Sequence, residues 1–124
     1  MLRRGDSVPH FSAIRASGDR FDYATIWQHR QLLLVSTGDA PDSVVTATAA
    51  ELSTRAAELA SLDTVAVVTA DAIPGVPRPG IVIADRWGEI YCVADRSAWL
   101  TADEAIEWVR FVQYKCPECE GEAK

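Results

Sequence analysis

Three of the 124 residues are cysteines, and two of them, Cys116 and Cys119, are separated only by Pro117 and Glu118. A C-x-x-C spacing can close a disulfide and so support thiol–disulfide exchange. The same spacing is half of a zinc knuckle; four ligands are needed, so two chains would each contribute a pair and share the ion. A third reading is an acidic tail carrying two exposed thiols. Local charge works against a reactive thiolate. The pair follows the C-terminal end of a predicted helix, where the dipole is negative, and Glu118, Glu120 and Glu122 crowd it, with Lys115 helping a little. These readings stay open together. The spacing of His10, His29 and Cys92 gives no support to a role as further ligands, and the two histidines read as solvated groups. Cys92 reads as a small buried hydrophobe alternating inward with Ile90.

A second stretch with the layout of a site is Gln31–Ser43. Leu32–Ser36 is a nearly continuous apolar run, followed by a loop containing Gly38, Asp39, Pro41 and Asp42 and then an alanine-rich segment. Such a run suits a central strand covered on both faces. Asp42 or Ser43 can cap the helix that follows by accepting backbone N–H bonds. In that helix Val45, Ala49, Leu52, Ala56 and Leu59 form one apolar stripe. Glu51, Arg55 and Glu58 make a solvated face, and the end falls near Leu62. The loop itself holds hydroxyls and carboxylates but no thiol.

The elements that must position these groups follow in order. Residues 1–20 form an extended lead-in, and Ser17-Gly18-Asp19 reads as a hairpin loop with Arg20–Tyr23 returning. Thr25-Ile26-Trp27 suits a short helical turn. Thr64–Thr69 is a β-branched run and a second buried strand. Ala70–Pro79 is a proline-rich loop. Ile81–Asp85 and Glu89–Ala94 flank a turn at Arg86-Trp87-Gly88 and read as a hairpin. Trp87 at that tip marks a contact surface. Thr101 and Glu104 form a capping box, and Pro117 predicts a helix end near Lys115. The domain then spans 1–115, with an acidic tail at 116–124. The first β-α-β unit is parallel and the hairpin antiparallel, so a mixed central sheet flanked by helices on both faces is expected, an α/β three-layer sandwich.

Composition bounds the partners. A net charge of −6 opposes binding to nucleic acid or an anionic membrane, and no apolar run approaches the length of a bilayer span. Gly5, Asp6 and Pro9 stand where a signal peptide needs its apolar segment, so a cytoplasmic location is expected. A protein partner or self-association, including a homodimer, fits this surface.

In this order and spacing the chain resembles the thioredoxin-like fold, and within it the peroxiredoxin-like (alkyl hydroperoxide reductase/thiol-specific antioxidant) redoxins. The opening Gly5-Asp6-Ser7-Val8-Pro9-His10-Phe11 is similar to the G-D-x-V/A-P-x-F start of that family, and Gly18–Tyr23 to its hairpin. Pro79–Ile90 looks like P-T-x-x-x-I-D-x-x-G-x-I. The resemblance implies an antioxidant oxidoreductase, a cis Pro79 facing the active-site loop, and Arg78 close to the family's thiolate-stabilising arginine. Here the chain departs from the pattern. Ala40-Pro41-Asp42-Ser43 stands where thioredoxins carry C-x-x-C. Counted from Pro41, the peroxiredoxin P-x-x-x-T-x-x-C motif meets Val45 and Thr48. Hydroxyls cannot form disulfides or reduce peroxides, and Asp39 and Asp42 would raise a neighbouring thiol pKa. The sequence therefore favours a non-catalytic binding or regulatory protein presenting the Thr37–Ser43 loop and Pro79, with Arg78 beside them. Its alternatives are an oxidoreductase using Cys116 and Cys119, or a dimer bridged by zinc through that pair. No other cofactor is expected.

Overall fold

Apolar residues alternate along the central strands, and that alternation assigns each of them to one of two cores. The structure, a computed structural model, describes residues 1–122, with side chains described as far as Tyr114. Strands β1 (Ser12–Ile14) and β2 (Arg20–Asp22) pair antiparallel as the expected hairpin, Ala13 opposite Phe21. A short 3-10 turn, Tyr23–Thr25, leads to β3 (Gln31–Ser36). Helices α1 (Ser43–Thr54) and α2 (Ala56–Ser61) cross to β4 (Thr64–Thr69), and β5 (Gly80–Ala84) and β6 (Ile90–Asp95) precede α3 (Ala102–Glu122).

The four long strands lie in the order β4-β3-β5-β6. β3 runs parallel to β4, with Leu34 opposite Val67, and antiparallel to β5, with Leu34 opposite Val82. Every residue of β3 is buried, as a continuous apolar run in a central strand requires. Leu33, Val35, Ile81 and Ile83 point to one face and pack on Leu52, Leu59, Ile106 and Val109 of the helices. Leu32, Leu34, Val67 and Val82 point to the other, against Phe11, Phe21, Tyr23, Ile73 and Val76. The molecule is thus a three-layer α/β arrangement, but the helices expected on both faces of the sheet all lie in one outer layer. The opposite layer is the β1–β2 hairpin together with the loop between β4 and β5. Pro74, Pro77 and Pro79 keep that loop from becoming a helix, and Ile73 and Val76 supply its buried contacts.

Four expectations change in detail. In the helix from Ser43, Thr48 lies with Val45 and Leu52 on the buried side; the helix breaks at Arg55 (φ −106°, ψ 25°), so Ala56 is exposed and α2 re-aims Leu59 at the sheet. The supposed solvated face is a clamp between helices. Arg55 binds Glu58 at 2.9 Å and also Asp103 of α3, and Glu58 accepts a hydrogen bond from Arg110. A bulge at Ile83/Ala84 breaks the alternation of β6, so Ile90 faces one core while Tyr91 and Cys92 both face the other. Finally, α3 continues beyond Lys115 to Glu122, because the conformational bias before a proline disfavours a helix without forbidding one. The capping box forms as expected: Thr101 N donates to Glu104 Oε1 at 2.9 Å and Glu104 N to Thr101 Oγ1 at 3.1 Å.

The turn before β6 shows why Asp85 and Gly88 stand where they do. Asp85 is buried and its Oδ1 accepts from Trp87 N and Glu89 N, both at 2.9 Å. Gly88 has φ +88°, and a Cβ there would lie 3.1 Å from the Tyr23 hydroxyl. No helix among the described residues is long and apolar enough to cross a membrane.

Candidate functional site at the strand–helix loop

The loop from Thr37 to Asp42 leaves the C-terminal end of β3 and meets the start of β5. The peptide bond between Arg78 and Pro79 is cis. Gly38 adopts φ +73°, and a Cβ at that position would sit 3.5 Å from Arg78 C and Pro79 N. The loop therefore lies directly against the cis proline, and glycine at position 38 serves both the backbone conformation and the close approach. Ala40, Pro41 and Ser43 are exposed, and Asp42 and Pro79 are half-buried. The structure thus gathers Ala40, Pro41, Asp42, Ser43, Arg78 and Pro79 at one end of the sheet.

The charged groups of this end are paired among themselves. Asp42 is the N-cap of α1, its Oδ1 accepting from Val44 N at 3.0 Å and Val45 N at 3.3 Å. Its Oδ2 accepts from Arg96 Nε at 2.7 Å. The Arg96 hydrogen bond, with the two backbone N–H groups, holds the Asp42 carboxyl below its usual range. Arg78 Nη2 donates to Asp39 Oδ1 at 3.0 Å and also to the Ala70 carbonyl. Both bonds come from Nη2, and the Asp39 carboxylate beside it offsets the favourable effect that this guanidinium would have on a thiolate.

Sequence reasoning missed Arg96, which lies 54 positions from the residue it binds. A weak signal existed in Asp95-Arg96-Ser97. Asp95 Oδ1 accepts from Ser97 N at 3.0 Å and Ala98 N at 3.1 Å, and this turn sets the course of the chain at Arg96. Trp99 was missed in the same way. It follows that turn and donates from Nε1 to Thr48 Oγ1 at 3.1 Å. Thr48, the residue that meets the peroxidatic position when counted from Pro41, is 6% exposed. That position therefore holds a buried hydroxyl bound to an indole. Ser36 closes the strand beneath the loop, opposite Gly80, with its hydroxyl buried and without a partner among the described residues.

The other candidate groups are not drawn into this loop. His10 packs beside Trp27, with ring centroids 4.9 Å apart, and His29 follows the turn that leads into β3, so both lie toward the opposite end of the sheet. A loop hydroxyl thus has no imidazole to act as its base. Cys92 is half-buried on β6; burial pushes its thiol up, and Arg4 offsets part of that effect. The side chains of Cys116 and Cys119, and any zinc they would share, lie outside the described residues. Among the described residues, no three His, Cys, Asp or Glu side chains are grouped to hold a metal ion.

The fold has counterparts of known structure. The chain is similar to a peroxidoxin, BcpB, from Mycobacterium tuberculosis, with a TM-score of 0.67 and 11% identity over 93% of this chain and 98% of that one. It is similar to the reduced 2-Cys peroxiredoxin of Plasmodium vivax, with a TM-score of 0.71 and 9% identity over 90% and 97% of the two chains. The thioredoxin domain of a thiol-disulfide oxidoreductase from Bacteroides vulgatus matches with a TM-score of 0.60 and 16% identity over 90% and 99%. No protein-family model and no curated protein matches the sequence. At such identities the likeness concerns the backbone alone, and the chain has the thioredoxin-like fold that peroxiredoxins share.

Proposed function

We propose that this chain is a thioredoxin-like binding or regulatory protein whose strand–helix loop performs no thiol chemistry. Thr37–Ser43, Arg78 and Pro79 serve as a recognition surface for an extended polypeptide segment. The observation that carries this reading is the Asp42 carboxylate at the helix N-cap, bonded to Val44 N, Val45 N and Arg96. Those N–H groups and that cation would lower the pKa of a thiol in this place, and the protein already uses them on its own carboxylate. The pairing of Arg78 with Asp39 supports the same reading. What remains for a partner is shape and backbone: the exposed Ala40-Pro41 tip beside a half-buried cis proline.

Two measurements test this. Peroxide reduction and insulin-disulfide reduction are assayed on the wild type and on the Cys116→Ser/Cys119→Ser variant, and neither protein is expected to turn over. Turnover lost in the variant would move the function to the C-terminal pair, and turnover kept in it would sink the silent-loop reading. Amide NMR shifts are then followed while a reduced, alkylated unfolded protein is titrated in. Shifts should concentrate at Thr37–Asp42 and Gly80. Shifts confined to other surfaces would refute recognition at this loop.

A further inference from the structure

A groove opens beside the loop, between the starts of α1 and α3. Ser43 lines the end nearest the loop, and Val44, Ala47 and Glu51 line the α1 side. These three recur every three or four positions, so they form one stripe about 10 Å long down the helix. Val44 is 45% exposed. Thr48 and Ala102 are buried at the floor, where the Trp99 indole donates to Thr48 Oγ1 at 3.1 Å. Glu51 differs from the paired carboxylates of the loop. It accepts no hydrogen bond at its side chain among the described residues, and its ion pair is with Arg55 Nη1 at 3.5 Å. That arginine is shared, since it also binds Glu58 at 2.9 Å and Asp103. Even with Arg110 on Glu58, three carboxylates face two guanidinium groups here, which leaves negative charge in excess.

We infer that this groove takes a lysine or arginine side chain of the polypeptide segment that the loop recognises. The carbon stem of that side chain lies on Val44, Ala47 and Trp99, and its charge meets Glu51. The inference rests on the loop reading: the loop holds the backbone of the segment, and the groove beside it selects a side chain. An apolar wall that ends in a carboxylate suits a carbon stem that ends in a cation. A purely apolar side chain would cover Val44 and give Glu51 no partner, and an acidic one would be repelled. Both are therefore selected against. The helix starts do not reverse this preference, because Asp42 caps α1 and Thr101 and Glu104 cap α3.

The test is an NMR titration of the full chain with two short unstructured peptides of alanine, serine and threonine. They differ only in the central residue, lysine in one and norleucine in the other, so the stem is kept and the charge removed. Both should shift the amides of Thr37–Asp42 and the Trp99 indole. The lysine peptide should bind roughly fivefold tighter, the upper end for a solvent-exposed ion pair. Glu51→Gln, at an exposed helical position, should leave the circular dichroism spectrum unchanged and bring the two peptides to equal affinity. Loop shifts with equal affinities in the wild type, with a lysine preference that survives Glu51→Gln, or with a silent Trp99 indole would overturn the groove and leave the loop reading standing. Loop amides unmoved by both peptides would refute the loop reading and this inference with it.

Discussion

The loop end of the sheet and the α3–β6 edge treat their side chains in opposite ways. At the loop end the polar groups, the Ser36 hydroxyl apart, are matched internally: Asp42 with Arg96 and two backbone N–H groups, Arg78 with Asp39, and the Trp99 indole with Thr48. At the edge, Tyr114 is largely exposed, Phe111 is half-exposed beside Tyr91 and Trp108, and Trp108 is only partly covered. A region that satisfies its own donors and acceptors gains little by binding a charged ligand, because each new contact displaces an existing one. A region with uncovered aromatic area gains from any partner that removes it from water. The loop end is thus stabilised as structure, and the larger uncovered aromatic area lies on a helix far from it in the chain.

That contrast can be broken by substitution. Trp99→Ala should cost about 2–3 kcal/mol of unfolding free energy, because it opens space beside α1 and removes the donor to Thr48. Tyr114→Ala, at 72% exposure, should stay within about 0.5 kcal/mol of the wild type. Urea denaturation of the two variants measures both. Equal losses would mean that the edge is as tightly built as the loop end. Thr48→Val keeps the volume but leaves the indole N–H of Trp99 without its acceptor, and should cost about 1 kcal/mol.

Acid sharpens the comparison further. Asp42, Asp95 and Glu58 all have carboxyls held below their usual range, chiefly by hydrogen bonds from Arg96, Ser97 and Arg55 respectively. A carboxyl with a lowered native pKa stabilises the fold above its unfolded value, near 4, and that contribution is lost as pH falls through the native value. Stability should therefore fall steadily below about pH 4. Asp42→Asn should be less stable at neutral pH and lose less on acidification. If the urea midpoint of the Asp42→Asn variant falls as steeply with pH as the wild type's, the Arg96–Asp42 pair contributes nothing.

Much of this was legible in the residues themselves. The unbroken run Leu32–Val35, the β-branched Thr64–Thr69 and the Thr101/Glu104 box each carry a local physical reason to be strand, strand and helix start, and each forms as read. The Asp85–Gly88 turn was equally readable, because one carboxylate and one glycine satisfy it locally. The missing features are those that depend on distant partners. Arg96 reaches Asp42, and Trp99 reaches Thr48, across about half the chain, and no periodicity records such a pairing. The break at Arg55 was hidden because the helical stripe continues through it with the same residue types. The bulge that turned Cys92 to the helix face adds a single residue to a strand, and an apolar sequence such as Ile90–Ala94 fits either face equally well. The assignment of the loop as thiol-free needed no structure, whereas the pairing of Arg78 with Asp39 did.

Cys92 provides the smallest test of the comparison, because it lies on the strand that joins the two regions. Burial pushes its thiol up, and the Arg4 guanidinium partly offsets this by favouring the thiolate. In a Cys116→Ser/Cys119→Ser background, Cys92 should react with iodoacetamide more slowly than a free cysteine at neutral pH, since the thiolate is the reacting form. Arg4→Ala has two opposed effects there. It removes the favourable charge, which lowers the thiolate fraction, and it opens the groove between the N-terminal segment and Trp108, which admits the reagent. The pH dependence separates them: loss of charge moves the midpoint of the rate profile upward, and added access raises the plateau at high pH without moving that midpoint. An upward midpoint with an unchanged plateau is expected. A raised plateau alone would show that Arg4 acts at this edge as a cover over apolar surface and has no electrostatic hold on the thiol.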